Sequence, residues 1–216
     1  MPNPAENPNS RKSIHVITLD HQRRILVHLA LPLLFLSLGA QARSQEAVLE
    51  LDPAHTQIGF TLDDVLHTVH GVFKLKRGTI NFDAATGKAN GLVVVDASSG
   101  DSGSHARDRK MNKDVLQSDQ YPEITFTPQQ VQGQILSKGD FKVQVLGAFT
   151  MHGAGHPLTL VVQANVAGDQ LIANMSFSVP YVSWGLKNPS TLLLRVNNTV
   201  EIVIQAVGHI KLVAAQ

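Results

Sequence analysis

"GAFTMHGAGHPLTLVVQANV", residues 147–166, sets two histidines four apart around a pair of glycines, and its reading decides the fold. On a helix, histidines at that spacing share a face and make a metal-ligand pair. A helix is disfavoured here, because Gly153 and Gly155 each cost it about 1 kcal/mol relative to alanine. Pro157 would break it outright, having no N–H to donate. On both sides of the glycines, apolar and polar residues alternate, the pattern of strands with one buried face. The stretch is therefore read as a β-hairpin whose turn is HGAGHP, residues 152–157, with His152 and His156 flanking it. A zinc site needs further ligands, and none is adjacent in sequence. His55, His67, His70 and His105 lie elsewhere, and in a strand His67 and His70, three apart, face opposite sides. No metal and no cofactor is assigned.

The same period of two runs outward from this hairpin. In TQIGFTL, Ile58, Phe60 and Leu62 point one way while Gln57, Gly59 and Thr61 point the other. GTINFD repeats this with Ile80 and Phe82, FKVQVLGAF with Phe141, Val143 and Val145, and TVEIVIQAVG with Val200, Ile202, Ile204 and Ala206. Stretches rich in Gly, Asn and Asp, the residues that tolerate positive φ, separate the runs at 86–91, 137–140, 153–155 and 167–170. Only residues 104–120, SHARDRKMNKDVLQSDQ, break the alternation. There Ser104 is a candidate cap, and Met111, Val115 and Leu116 form a narrow apolar stripe at helical spacing. The expectation is an all-β chain, an antiparallel barrel of about eight strands with one short helical insertion. Closure into a barrel removes the exposed edges such strands would otherwise present. The phenylalanines Phe60, Phe73, Phe82, Phe126, Phe149 and Phe177 are expected about one per strand.

Composition bounds the chemistry. The 216 residues fit one domain of ordinary size. There is no cysteine, which excludes disulfides, thiolate nucleophiles and cysteine-based zinc sites. A formal net charge of +1 leaves no electrostatic footprint for nucleic acid. Neither HExxH nor GxSxG occurs.

The N-terminus has the character of a processing segment. Arg23 and Arg24 precede ILVHLALPLLFLSLGA, residues 25–40, which is shorter than the roughly 20 residues of a membrane-spanning helix. Ala40-Gln41-Ala42 follows the small-x-small rule for signal cleavage. Residues 1–42 are read as a signal peptide with a long leader and 43–216 as the mature domain, periplasmic or secreted; an uncleaved anchor is the competing reading.

Three segments in order, LDPAHTQIGFTLDDVLHTVHGVFKLKRGTINFD (51–83), RDRKMNKDVLQSDQYPEITFTPQQV (107–131) and GAFTMHGAGHPLTLVV (147–162), resemble the YceI-like family. The resemblance runs from about Leu51 to Gly208. It departs from the common pattern at Phe149, at Gly155-His156 and along VPYVSWGLKNPSTLLLRVNNTVEI, residues 179–202. What it implies is a lipocalin-like barrel in the bacterial periplasm that binds a long apolar ligand, a polyisoprenoid or isoprenoid quinone, with pairing into homodimers as a further expectation.

On that reading Phe60, Phe73, Phe126, Phe149 and Phe177 are candidate tunnel-wall residues, with ordinary core packing as the alternative. Tyr181, Trp184 and Leu186, in a loop marked by Pro and Gly, are candidates for a gate. His55, His67, His152 and Arg195 are candidate head-group donors; for Arg195, a charge inside an apolar run, an internal ion pair is the competing role. Arg107 and Asp108 are assigned to local hydrogen bonds and salt bridging at the start of the helical segment. Two other functions stay open at this point: an enzyme, either histidine-dependent on a metal or acting within the barrel, and a ligand-free structural β module.

Overall fold

Among the described residues, nine strands follow the alternating runs: β1 Glu46–Leu51, β2 Gln57–Asp63, β3 Thr68–Asp83, β4 Ala89–Asp101, β5 Glu123–Gln132, β6 Gly139–Met151, β7 Ala154–Ala167, β8 Gln170–Val179 and β9 Val200–Val213. The structure, a computed structural model, describes residues 46–191 and 194–213. The expected signal peptide over 1–42 lies outside the described residues.

All pairings are antiparallel, and the sheet closes on itself. β1 pairs the Thr79–Asp83 end of β3 and the Gly208–Val213 end of β9. β2 pairs the opposite ends of the same two strands. β1 and β2 thus lie end to end as one stave, and the nine strands build the eight-stave barrel expected from the sequence. Between them the chain turns at 52–56, where Asp52 Oδ1 accepts the Ala54 N–H at 2.8 Å and Asp52 Oδ2 bonds His55 Nδ1 at 2.6 Å. Eight staves leave an interior just wide enough for side chains or one slender ligand.

The inward faces are those the alternation assigns. Ile58, Phe60 and Leu62, and likewise Val200, Ile202 and Ile204, line the interior at one end of the barrel, here called the upper end. Ile80, Phe82, Phe141, Val143, Val145 and Ala206 line the lower end. The phenylalanines are not spread one per strand, since β3 carries both Phe73 and Phe82. At sixteen residues β3 spans both ends of the barrel and so supplies a ring to each.

The decisive hairpin forms between β6 and β7, but its turn is tighter than HGAGHP. Met151 pairs with Ala154, leaving only His152 (φ 53°) and Gly153 (φ 76°) as loop. Positive φ at both central residues matches the right-handed twist of the flanking strands, and this allows a two-residue turn. Gly155, His156 and Pro157 already belong to β7. Pro157 is tolerated because β8 pairs with β7 only over Gln163–Ala167, so this part of β7 has no ladder partner on its β8 side.

The helical insertion is α1, His105–Lys110, continuing into a wider π-helical turn, Met111–Leu116, that buries Val115 and Leu116. Ser104 does not cap it with its side chain; its carbonyl accepts the Asp108 N–H at 2.9 Å. No helix among the described residues is long and apolar enough to cross a membrane.

Candidate functional site

The barrel is hollow. An upper cavity of about 530 Å³ lies under α1, the π turn and the loop after β8. A lower one of about 170 Å³ lies at the β1 end. Ile58, Val95, Ile124, Phe149, Phe177 and Ile204 line both, so the two cavities meet end to end at a waist in one tunnel axis.

The tunnel wall is built from strand alternation and from glycines that make room for rings. Gly71 of β3, opposite Phe60 in register, is where the Phe60 ring lies on the sheet; a Cβ there would overlap it. Phe60 packs on Phe73 with ring centroids 5.3 Å apart. Gly147 receives the edge of Phe126 in the same way. Such ring-on-glycine seats restore the packing that a strand glycine lacks.

Among the described residues, the charged groups that line the barrel interior, Asp64, Arg107 and Lys110, lie at the upper mouth together with Ser102 and Ser104. Ser102 organises them. Its N–H and Oγ both donate to Asp108 Oδ1, at 2.9 and 2.5 Å, while its Oγ accepts Arg107 Nε at 2.8 Å and its carbonyl accepts an Arg107 terminal N–H at 2.9 Å. The hydrogen bond from Ser102 holds the Asp108 carboxyl below the usual carboxylate range. Asp64 is held low in the same sense, chiefly by the Leu66 N–H. Lys110 Nζ donates to the Pro189 carbonyl at 3.1 Å, tying α1 to the loop after β8.

That loop closes the upper end. Tyr181 and Leu186 are each 3% exposed and line the cavity. The Tyr181 hydroxyl donates to the Asn197 carbonyl at 2.6 Å, and burial pushes the phenol up from its ordinary value. Trp184 sits beside the cavity without lining it, stacked on His156 at 4.0 Å and 3° and packed against Phe149 at 5.7 Å.

Of the residues singled out from sequence, Phe60, Phe73, Phe149, Phe177, Tyr181 and Leu186 meet around the upper cavity, and Phe126 lines the lower one. The four head-group candidates do not join them. His55 is 71% exposed against Asp52, and His67 is 73% exposed beside Asp64. His152 sits at the hairpin tip, where it bonds Gln117 Oε1 at 2.9 Å and packs on Tyr121. Arg195 is exposed, which rules out an internal ion pair. The reason is common to the three histidines: each sits in a turn, where the chain has already left the barrel wall.

Arg107 and Lys110 supply the cations at the mouth instead. The local bonding expected of Arg107 and Asp108 exists, but it runs through Ser102, and Arg107 is among the residues that line the cavity. A signal for this was available, since 107, 110 and 111 fall at i, i+3 and i+4 on one helical face, which joins the two cations to Met111. Among the described residues no three His, Asp or Glu side chains are placed to hold a metal ion.

Comparison with known proteins agrees with this architecture. A UPF0312 protein of Vibrio parahaemolyticus is 33% identical over 139 residues, covering 62% of this chain and 69% of the relative. One from Pseudomonas savastanoi pv. phaseolicola is 31% identical over 149 residues, covering 68% and 75%. In fold, the chain is similar to Burkholderia cenocepacia BcnA, with a TM-score of 0.61 at 18% identity over 73% of this chain and 98% of that one. It is also similar to a polyisoprenoid binding domain from Saccharophagus degradans, with a TM-score of 0.57 at 13% identity over 74% and 97%. The YceI-like domain profile matches residues 49–208, both ends of the tunnel and the loops that close it, and the chain belongs to the YceI-like family.

Proposed function

We propose that the protein is a binding protein for a long apolar chain of the isoprenoid type, a polyisoprenoid or isoprenoid quinone, carried in an extracytoplasmic compartment. The observation that carries this reading is the tunnel, largely apolar along its length, with its charged lining residues at the mouth. An amphiphile with one long tail and one small polar head has the same distribution. The tail occupies the wall of Phe60, Phe73 and Phe177, and the head meets Arg107 and Lys110. Burying ten methylene groups is worth roughly 8 kcal/mol gross, from which association and ordering costs subtract. The fold likeness to a domain described as polyisoprenoid binding supports the same ligand class.

Export is part of the proposal and rests on the Ala40-Gln41-Ala42 pattern after an apolar run. The mature chain is expected to begin at Arg43 and to fractionate outside the cytoplasm. Binding is tested with a fluorescent isoprenoid analogue titrated into purified protein and displaced by unlabelled isoprenyl alcohols. Saturable binding that unlabelled alcohol competes away is expected; an analogue that shows no saturable binding overturns the reading.

A further inference from the structure

The tunnel is interrupted at one level, and the interruption is built from side chains that are held in place. Two of the residues shared by the upper and lower cavities are rings, Phe149 on β6 and Phe177 on β8. These strands are not neighbours, for β7 lies between them. Yet the rings meet edge to face, centroids 5.9 Å apart at 71°, an arrangement aromatic pairs favour. They reach each other because both project inward, so their contact spans the inner face of β7.

Phe149 also has ring contacts on its own, inward face. Its cross-strand partner on β7 is His156, on which the Trp184 indole lies flat at 4.0 Å while also packing on Phe149 at 5.7 Å. At this level β7 makes no ladder with β8, whose pairing stops at Gln163 and Asn174. Trp184, carried on the loop that leaves β8, packs where the ladder is missing. Phe149 is therefore in ring contact with both Phe177 and Trp184, and Trp184 is itself stacked on His156.

We propose that Phe149, held by its ring contacts with Phe177 and Trp184, sets the tail length the barrel accepts. The proposal rests on the reading of the tunnel as a site for a long apolar chain. A tail that fits the upper cavity of about 530 Å³ binds without moving the waist. A longer tail gains the lower cavity of about 170 Å³ only by displacing Phe149 from both of its ring contacts. Affinity then rises with each added isoprene unit until the upper cavity is filled, and levels off beyond it.

The test is a series of linear isoprenyl alcohols, lengthened one unit at a time, competed against the fluorescent analogue on wild type, Phe149→Leu and Phe177→Leu. Leucine keeps an apolar wall but removes the ring from the lumen, and two variants on different strands guard against one that fails to fold, as judged by circular dichroism. Wild type is expected to reach a plateau. Either leucine variant is expected to move it to a longer chain, gaining at least about tenfold in affinity for the first alcohols beyond the wild-type plateau. Trp184→Ala, which removes one of the two ring contacts, should move it the same way. Length profiles that superimpose for wild type and both folded leucine variants overturn the proposal, as does a wild-type affinity that climbs without levelling. If wild type binds no alcohol of any length, the tunnel is not a lipid site, and the lipid reading itself falls.

Discussion

At the scale of single residues, the mouth of the tunnel is ordered by the Ser102 hydroxyl. It donates to Asp108 and accepts from Arg107, so protonating Asp108 weakens the arrangement that aims the guanidinium. The Asp108 carboxyl is depressed in the folded state, so its contribution to stability is complete above the ordinary value near 3.8 and is lost as the pH falls through the lower folded value. Thermal melts at a series of pH values should show wild type losing more stability on acidification below pH ~4 than Asp108→Asn, which starts lower and responds less. Arg107→Ala should weaken binding of an analogue with an anionic head and spare one with the same tail and no head. By contrast, alanine at His55, His67 or Arg195 should leave both affinities unchanged and stability within about 0.5 kcal/mol, as is usual for exposed positions. These three drew attention in the sequence because a histidine or arginine among apolar neighbours looks enclosed. Alternation gives the face of a strand residue, but it gives nothing for a residue in a turn, and His55 and His67 stand in turns.

Among the elements, the β6–β7 hairpin and the loop after β8 carry the largest differences between expectation and structure. Glycine, histidine and proline at 153–157 mark a turn by composition, yet His152 and Gly153 alone take positive φ, and the remainder is absorbed into β7. Composition locates a turn, while its length follows from which residues the twist of the two strands forces to positive φ. Gly153→Ala should therefore destabilise by about 1 kcal/mol or more, because alanine is disfavoured at that φ and its Cβ would press on the Tyr121 ring. Trp184 was legible as a large ring in a Pro- and Gly-marked loop. Its partner His156 was not, since they are separated by a whole strand and meet only where the β7–β8 ladder stops. Trp184→Ala should cost about 2 kcal/mol, less than the 3–5 typical of a fully buried aromatic. A chemical denaturation series on the two variants measures both figures.

For the molecule as a whole, period-two patterning was enough to assign the barrel and its inward residues, because a strand residue's face follows directly from parity. Ile58, Phe60, Ile202 and Ile204 all point where parity puts them. Parity does not say whether inward side chains meet or leave space, as Phe126 and Phe149 would alternate identically in a filled barrel. The hollow arises from three-dimensional spacing: two strands sharing one stave, glycines that draw rings against the wall, and a loop that roofs one end. The central claim is that this hollow holds a long apolar chain, and native mass spectrometry of the full-length gene product, purified from its host without detergent, tests it most directly. The account predicts a mass excess over the processed chain that solvent extraction removes and that fragments as an isoprenoid lipid. A spectrum showing only the bare polypeptide, unchanged after incubation with isoprenyl alcohols or quinones, would contradict it.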